Sequence, residues 1–206
     1  VATDHVTADD VVATRDLVLG FLRPLRGRDW RAPVPDLEWN CGETLRHMIN
    51  AQLWYAAHLA SRATRRLALS RDVDPGLDVD GLLDNVEANA SILAAVLRDA
   101  PPEARAWHNS GMTDRSGFSA MSCDELLIHT WDIGRGLDVA FAMPGELCGR
   151  VVARLFPMWL PVDAAPEDAL LWCNGRIALP GRPRLDPDWG WWSRPLEEWD
   201  GTDPDG

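Results

Sequence analysis

Residues 122–136 read SCDELLIHTWDIGRG and carry three side chains able to do chemistry, Glu125, His129 and Asp132, in an otherwise apolar setting. On an α-helix successive residues turn by about 100°, so Glu125 and His129 lie about 40° apart and Asp132 returns to about 20° from Glu125. Two carboxylates and an imidazole therefore share one face. Leu126, Leu127, Ile128, Trp131 and Ile133 fill the remainder, which points the polar groups at a cavity rather than at bulk water. The E-x-x-x-H spacing is weak alone, because a surface i,i+4 pair of this kind, worth about 0.2–0.5 kcal/mol, explains it equally well.

A metal centre needs a further imidazole from another element. His5 lies near the N-terminus, and His108 falls in WHNSGMTDRSGF, which reads as a polar loop. His47 and His58 share a face of one expected helix but are separated by about 16 Å along its axis, so only one of them can join the site. His47 sits among Leu45, Met48 and Ile49, whereas His58 lies at an Arg-rich helix end, where the helix dipole favours a cation. His47, Glu125 and His129 would supply two imidazoles and a carboxylate, the ligand set of catalytic zinc with an open position and also of non-haem iron(II). Glu43 is the alternative carboxylate, but a capping box with Asn40 accounts for it. Cys123 is turned about 160° from Glu125 and is not expected to be a ligand.

Several helices must hold these groups. Thr7 with Asp10 caps a first helix reaching about Leu25, and Asn40 with Glu43 caps a second to about Ala63. A third runs over about Val79–Asp99, ended by Pro101 and Pro102, and a fourth over about Ser119–Gly136. After Pro144 a shorter helix extends to about Trp159 and is kinked or ended by Pro157. In ALLWCNGRIAL, Asn174 and Gly175 stand between two apolar runs, the signal of a type I′ hairpin. The expected fold is mainly α: a four-helix bundle with an extra short helix over residues 1–163, then a small C-terminal β-hairpin and a Trp-rich tail over 164–206, packed on the bundle.

Bulk properties exclude several classes of function. A net charge of −12 and a pI near 4.7 exclude the basic face that nucleic acid requires. No apolar run reaches the roughly 20 residues of a membrane helix. The opening VATDHVTADD has neither the basic start nor the apolar core of a signal peptide, which gives the expectation of a cytoplasmic protein. Cys41, Cys123, Cys148 and Cys173 are scattered, as free thiols would be. The chain has eleven tryptophans against one tyrosine. Most read as packing; Trp54, beyond His47 on nearly the same face, either walls a substrate or cofactor pocket or belongs to the core. Trp189, Trp191, Trp192 and Trp199 either clamp the tail or form a partner surface.

EWNCGETLRHMINAQLWYAAHL, then DELLIHTWDIGRGL, then ALLWCNGRIALPG together resemble the mycothiol-dependent maleylpyruvate isomerase N-terminal domain family, within the DinB-like metal-binding four-helix bundles. The likeness spans about Val6 to Trp192. By position it places the family's metal triad on His47, Glu125 and His129. Asp132 matches the aspartate of an H-x-W-D pattern, either orienting an imidazole or serving as an ordinary helix-end carboxylate. The resemblance implies a divalent metal, zinc first with iron or nickel as alternatives, that activates a mycothiol-like thiol as nucleophile toward a small electrophile. The outcome would be an S-transferase or an isomerase. The isomerase has a further C-terminal domain that supplies an active-site arginine; this sequence is expected to stop short of it. Arg176, beside the expected turn, is then the candidate positive charge, the alternative being a surface residue. Rival readings are a non-haem iron oxygenase or metal-dependent hydrolase on the same bundle, or a non-catalytic binder of small molecules. A homodimer through an apolar helix face is compatible with the sequence.

Overall fold

Each bundle helix begins where the sequence supplies a side-chain cap. In a computed structural model, which describes residues 5–69, 73–186 and 190–201, helix α1 (Ala8–Leu22) starts at a capping box in which Asp10 Oδ2 accepts the Thr7 N–H at 2.8 Å. Helix α2 (Cys41–Ser61) starts at a second, with the Asn40 N–H donating to Glu43 Oε2 at 2.8 Å. Asp78 caps α3 (Val79–Asp99) by accepting the Gly81 N–H at 2.9 Å. These caps satisfy backbone donors that would otherwise lack partners, typically worth about 1 kcal/mol each.

Between α3 and α4 (Arg115–Gly136) the expected polar loop is instead a hairpin of β1 (Arg105–His108) and β2 (Gly111–Asp114), antiparallel, with His108 paired to Gly111. Gly111 takes a φ of 133° at the turn, which favours glycine. The Trp107 N–H donates to Ala63 O at 2.7 Å, tying the hairpin to the end of α2. Asp114 closes β2 and caps α4, with Oδ1 accepting the Gly117 N–H at 2.7 Å, so α4 begins four residues before the expected Ser119.

In the bundle α1 packs against α3 and α4, and α2 packs against the same two helices. The stretch of α4 from Gly117 to Gly134 is buried apart from Trp131. Such a helix owes its stability to tertiary packing: burial of side chains such as Phe118, Met121 and Leu126 contributes about 1.5–3 kcal/mol each. Helix α5 (Gly145–Leu155) covers α4, and Pro157 opens a single 3-10 turn to Trp159. No described helix is long and apolar enough to cross a membrane.

The C-terminal hairpin expected at Asn174–Gly175 is not formed. ALLWC belongs to α6 (Pro166–Cys173), which has Pro166 at its start and Glu167 and Asp168 in its first turn, and packs on α5. Asn174 and Gly175 end that helix. Gly175 has a φ of 64°, its N–H donates to Trp172 O, and the Arg176 N–H donates to Leu171 O, both at 2.8 Å. This is a Schellman cap. A type I′ turn and a Schellman cap both call for positive φ at a glycine, so the dipeptide suits either; the acidic first turn behind Pro166 favours the helix.

The tail is clamped. The Trp192 N–H donates to Leu155 O at 2.8 Å, and the buried Trp192 ring meets Trp199 edge-on at 4.8 Å. Buried Arg154 donates to Trp192 O at 3.1 Å and to Asp114 Oδ1 at 2.6 Å, joining α5, the tail and the cap of α4. Trp189 and residues 202–206 lie outside the described residues; Leu196–Glu198 form a 3-10 turn.

Candidate metal centre

Helices α2 and α4 pack directly on each other. At Gly136 an added Cβ would stand 2.5 Å from Cys41 Sγ and 3.2 Å from Pro33 O, so only glycine permits this close approach. His47 from α2 thereby meets the mid-helix pair of α4. Glu125 Oε2 lies 3.0 Å from His47 Nε2 and 3.1 Å from His129 Nε2, and the three donor atoms are all within 4.8 Å of one another. Donors about 2.1 Å from a tetrahedral zinc stand about 3.4 Å apart. The two nitrogen–oxygen separations, 3.0 and 3.1 Å, are close to that spacing, so the two nitrogens and one oxygen form a donor set suited to an ion.

Each donor is backed by another side chain. His129 Nδ1 lies 3.1 Å from Asp132 Oδ2; an ionised carboxylate only accepts, so Nδ1 carries a proton, and Nε2 is the nitrogen that faces Glu125 and would meet an ion. Asp132 is fully buried and accepts Arg176 Nε and Nη2. Arg176 is therefore an inward strut and no surface residue, delivered by the cap of α6. The Tyr55 hydroxyl donates to Glu125 Oε1 at 3.0 Å. Trp39 lies over the His47 ring at 4.9 Å, set there by a loop in which the Val34 N–H donates to Trp39 O and Pro33 bridges Asn40.

The electrostatics follow from this crowding. Burial raises the Glu125 carboxyl, but the His47 charge and the hydrogen bonds from His129 and His47 outweigh it and hold the group well below the usual carboxylate range. Burial opposes protonation of His129, yet its bonds to Asp132 and Glu125 push it up to about 9. Asp132 is held below the usual range, since its bonds to His129 and Arg176 exceed the cost of burial.

Two cavities share the His47–Glu125 wall. The larger, of 410 Å³, is lined by His47, Trp54, Tyr55, Arg66, Trp107, His108 and Trp191 among others. The smaller, of 270 Å³, includes Trp39, Asp124, His129, Asn174, Arg176 and Trp191. Trp54 walls the larger cavity and is also 5% exposed, so its two expected roles coincide.

His58 departs from expectation. It is fully buried; its Nε2 accepts the Leu67 N–H at 3.0 Å, so Nδ1 donates to Trp54 O at 2.9 Å. A neutral ring pinning a loop replaces the helix-end cation. Cys123 is buried against Thr14, and burial pushes its thiol up to about 12; all four cysteines are free and buried. Tyr55 and Asp124 were not foreseen from the sequence, and His108 was expected in a polar loop. Tyr55 had a signal, being the single tyrosine, on the helix of His47. His108 is buried beside Tyr55, and burial lowers it to about 4. Asp124, raised by burial to about 7, accepts the Asn174 amide at 2.8 Å; nothing in its spacing distinguishes it.

Residues 11–134 match the family profile described as Mycothiol maleylpyruvate isomerase N-terminal domain. The chain belongs to that family. No curated protein and no solved structure matches it. The span matched to the mycothiol maleylpyruvate isomerase N-terminal domain takes in His47, Glu125, His129 and Asp132, and ends before Arg176. Its mainly helical architecture agrees with the DinB-like bundle expected for the family.

Proposed function

We propose that this domain holds a divalent metal through His47, Glu125 and His129 and serves a thiol-dependent S-transfer or isomerisation of a small electrophile. The observation that carries the reading is the convergence of two imidazole nitrogens and one carboxylate oxygen within 4.8 Å, beside a cavity of 410 Å³. Family membership adds mycothiol as the thiol. The N,N,O donor set favours zinc, with iron or nickel as alternatives. When bound, such an ion keeps a coordinated thiol deprotonated at neutral pH, where a free thiol of pKa near 8.5 is mostly protonated.

The chain's own residues set the stage. Asp132 keeps the His129 proton on Nδ1, and Arg176 keeps Asp132 ionised and fixed. Trp54, Trp107 and Trp191 offer flat walls for an unsaturated substrate. Arg66 stands on the same cavity with no carboxylate partner among the described residues, a ready contact for an anionic group. His108 accepts the Ser110 N–H on Nδ1 at 3.2 Å, so its neutral ring carries its proton on Nε2.

Elemental analysis of the wild type beside His47→Ala and Glu125→Ala tests the site. One equivalent of metal in the wild type and loss in both variants is expected; retention in either redraws the ligand set. Turnover of a generic electrophile that requires added thiol, abolished in folded His129→Ala, tests the reaction. Turnover without thiol would shift the reading to a hydrolase.

A further inference from the structure

We infer that Tyr55 is a positioning residue of the metal centre: its hydroxyl holds Glu125 Oε1, so that the carboxylate offers Oε2 alone to the ion. The inference rests on the metal-binding reading above and adds to it a residue that fixes how one ligand binds.

The two oxygens of Glu125 have different surroundings. Oε2 faces both imidazoles, at 3.0 Å and 3.1 Å, while Oε1 accepts the Tyr55 hydroxyl at 3.0 Å. The phenol is buried at 4% exposure, and since an ionised carboxylate can only accept, its O–H is the donor of this bond. Its ring is held by Trp54 at 5.8 Å, Phe118 at 5.9 Å and His108 at 6.1 Å, which leaves little freedom to swing away. Helix α2 thus brings one ligand, His47, and also the group that orients a ligand from α4.

A carboxylate free to turn can grip a metal with both oxygens and occupy two coordination positions. Held by the phenol, Glu125 occupies one. Tyr55 and Glu125 both line the larger cavity, from which a sulfur ligand would approach the ion. Hydrogen-bond partners of metal ligands typically change affinity by about 10–100-fold.

Zinc affinity by chelator competition, with cobalt(II) absorption as a second readout, tests this in the full chain and in Tyr55→Phe. Expected is a loss of about 10–100-fold in zinc affinity and a weaker cobalt visible band as the coordination number rises, with the metal-free variant still folding cooperatively. Wild-type affinity and an unchanged cobalt band in Tyr55→Phe would overturn the inference while leaving the metal site standing. Absence of zinc binding by the wild type would overturn both. Should the variant not fold, infrared spectra of the zinc-loaded wild type, differenced against Glu125→Gln, decide instead. A wide separation of the Glu125 carboxylate stretches supports one-oxygen ligation, and a narrow one overturns it.

Discussion

Arg176 grips Asp132 with two parallel bonds, Nε to Oδ1 at 2.9 Å and Nη2 to Oδ2 at 2.8 Å, and the same Oδ2 lies 3.1 Å from His129 Nδ1. An arginine from the end of α6 thus reaches the candidate metal ligand through one intermediary. In Arg176→Gln, Asp132 loses the cation that keeps its buried charge tolerable, and zinc affinity is expected to fall by about 10–100-fold. Arg176→Lys should not restore it, because a point charge cannot span both oxygens. Chelator competition measures both; unchanged affinity in Arg176→Gln would reduce the residue to a fastener of α6.

Metal binding should strengthen with pH. In the metal-free site His129 is protonated up to about 9, and an ion must displace that proton from Nε2. Affinity is therefore expected to climb between pH 6.5 and about 9, with proton release detectable by calorimetry in buffers of different ionisation enthalpy. The same shift has the opposite effect on the metal-free fold. A histidine raised above its unfolded value of about 6.5 stabilises fully below that pH and loses the contribution as pH rises through about 9. An affinity independent of pH over this range would contradict the assignment of His129 as a ligand.

His108 runs the other way. Burial depresses it to about 4, so the unfolded chain binds a proton there before the folded one does. Its share of stability is present above about pH 6.5 and is lost as pH falls toward 4, at most about 3 kcal/mol. Urea unfolding at a series of pH values, subtracted from that of His108→Gln, should show this slope. A difference that stays level across the window would place the imidazole in water.

Arg154 joins the tail to α5 and to the cap of α4. Arg154→Met is expected to destabilise the fold by about 3 kcal/mol, since Asp114 and two tail carbonyls lose a largely buried partner. Cleavage near Trp192 by a dilute protease should accelerate before the bundle is attacked. Equal cleavage rates in variant and wild type would show that the remaining contacts of Trp192 suffice to anchor the segment.

The helices were readable because their starts are written locally: Thr7 with Asp10 and Asn40 with Glu43 form the expected capping boxes. The convergence of His47 with the α4 pair was legible from helical periodicity together with the family resemblance. What escaped depends on tertiary context. Asn174–Gly175 satisfies two backbone geometries, and only the packing of α6 on α5 chooses. Residues 105–114 lack an apolar alternation, so their pairing emerges only against the end of α2. His58 is neutral because a loop distant from any helix rule donates to it.

Trp191 borders both cavities at once. The C-terminal segment that carries this ring thereby supplies part of the lining of both, so a chain cut before Trp191 is expected to open each cavity on that side.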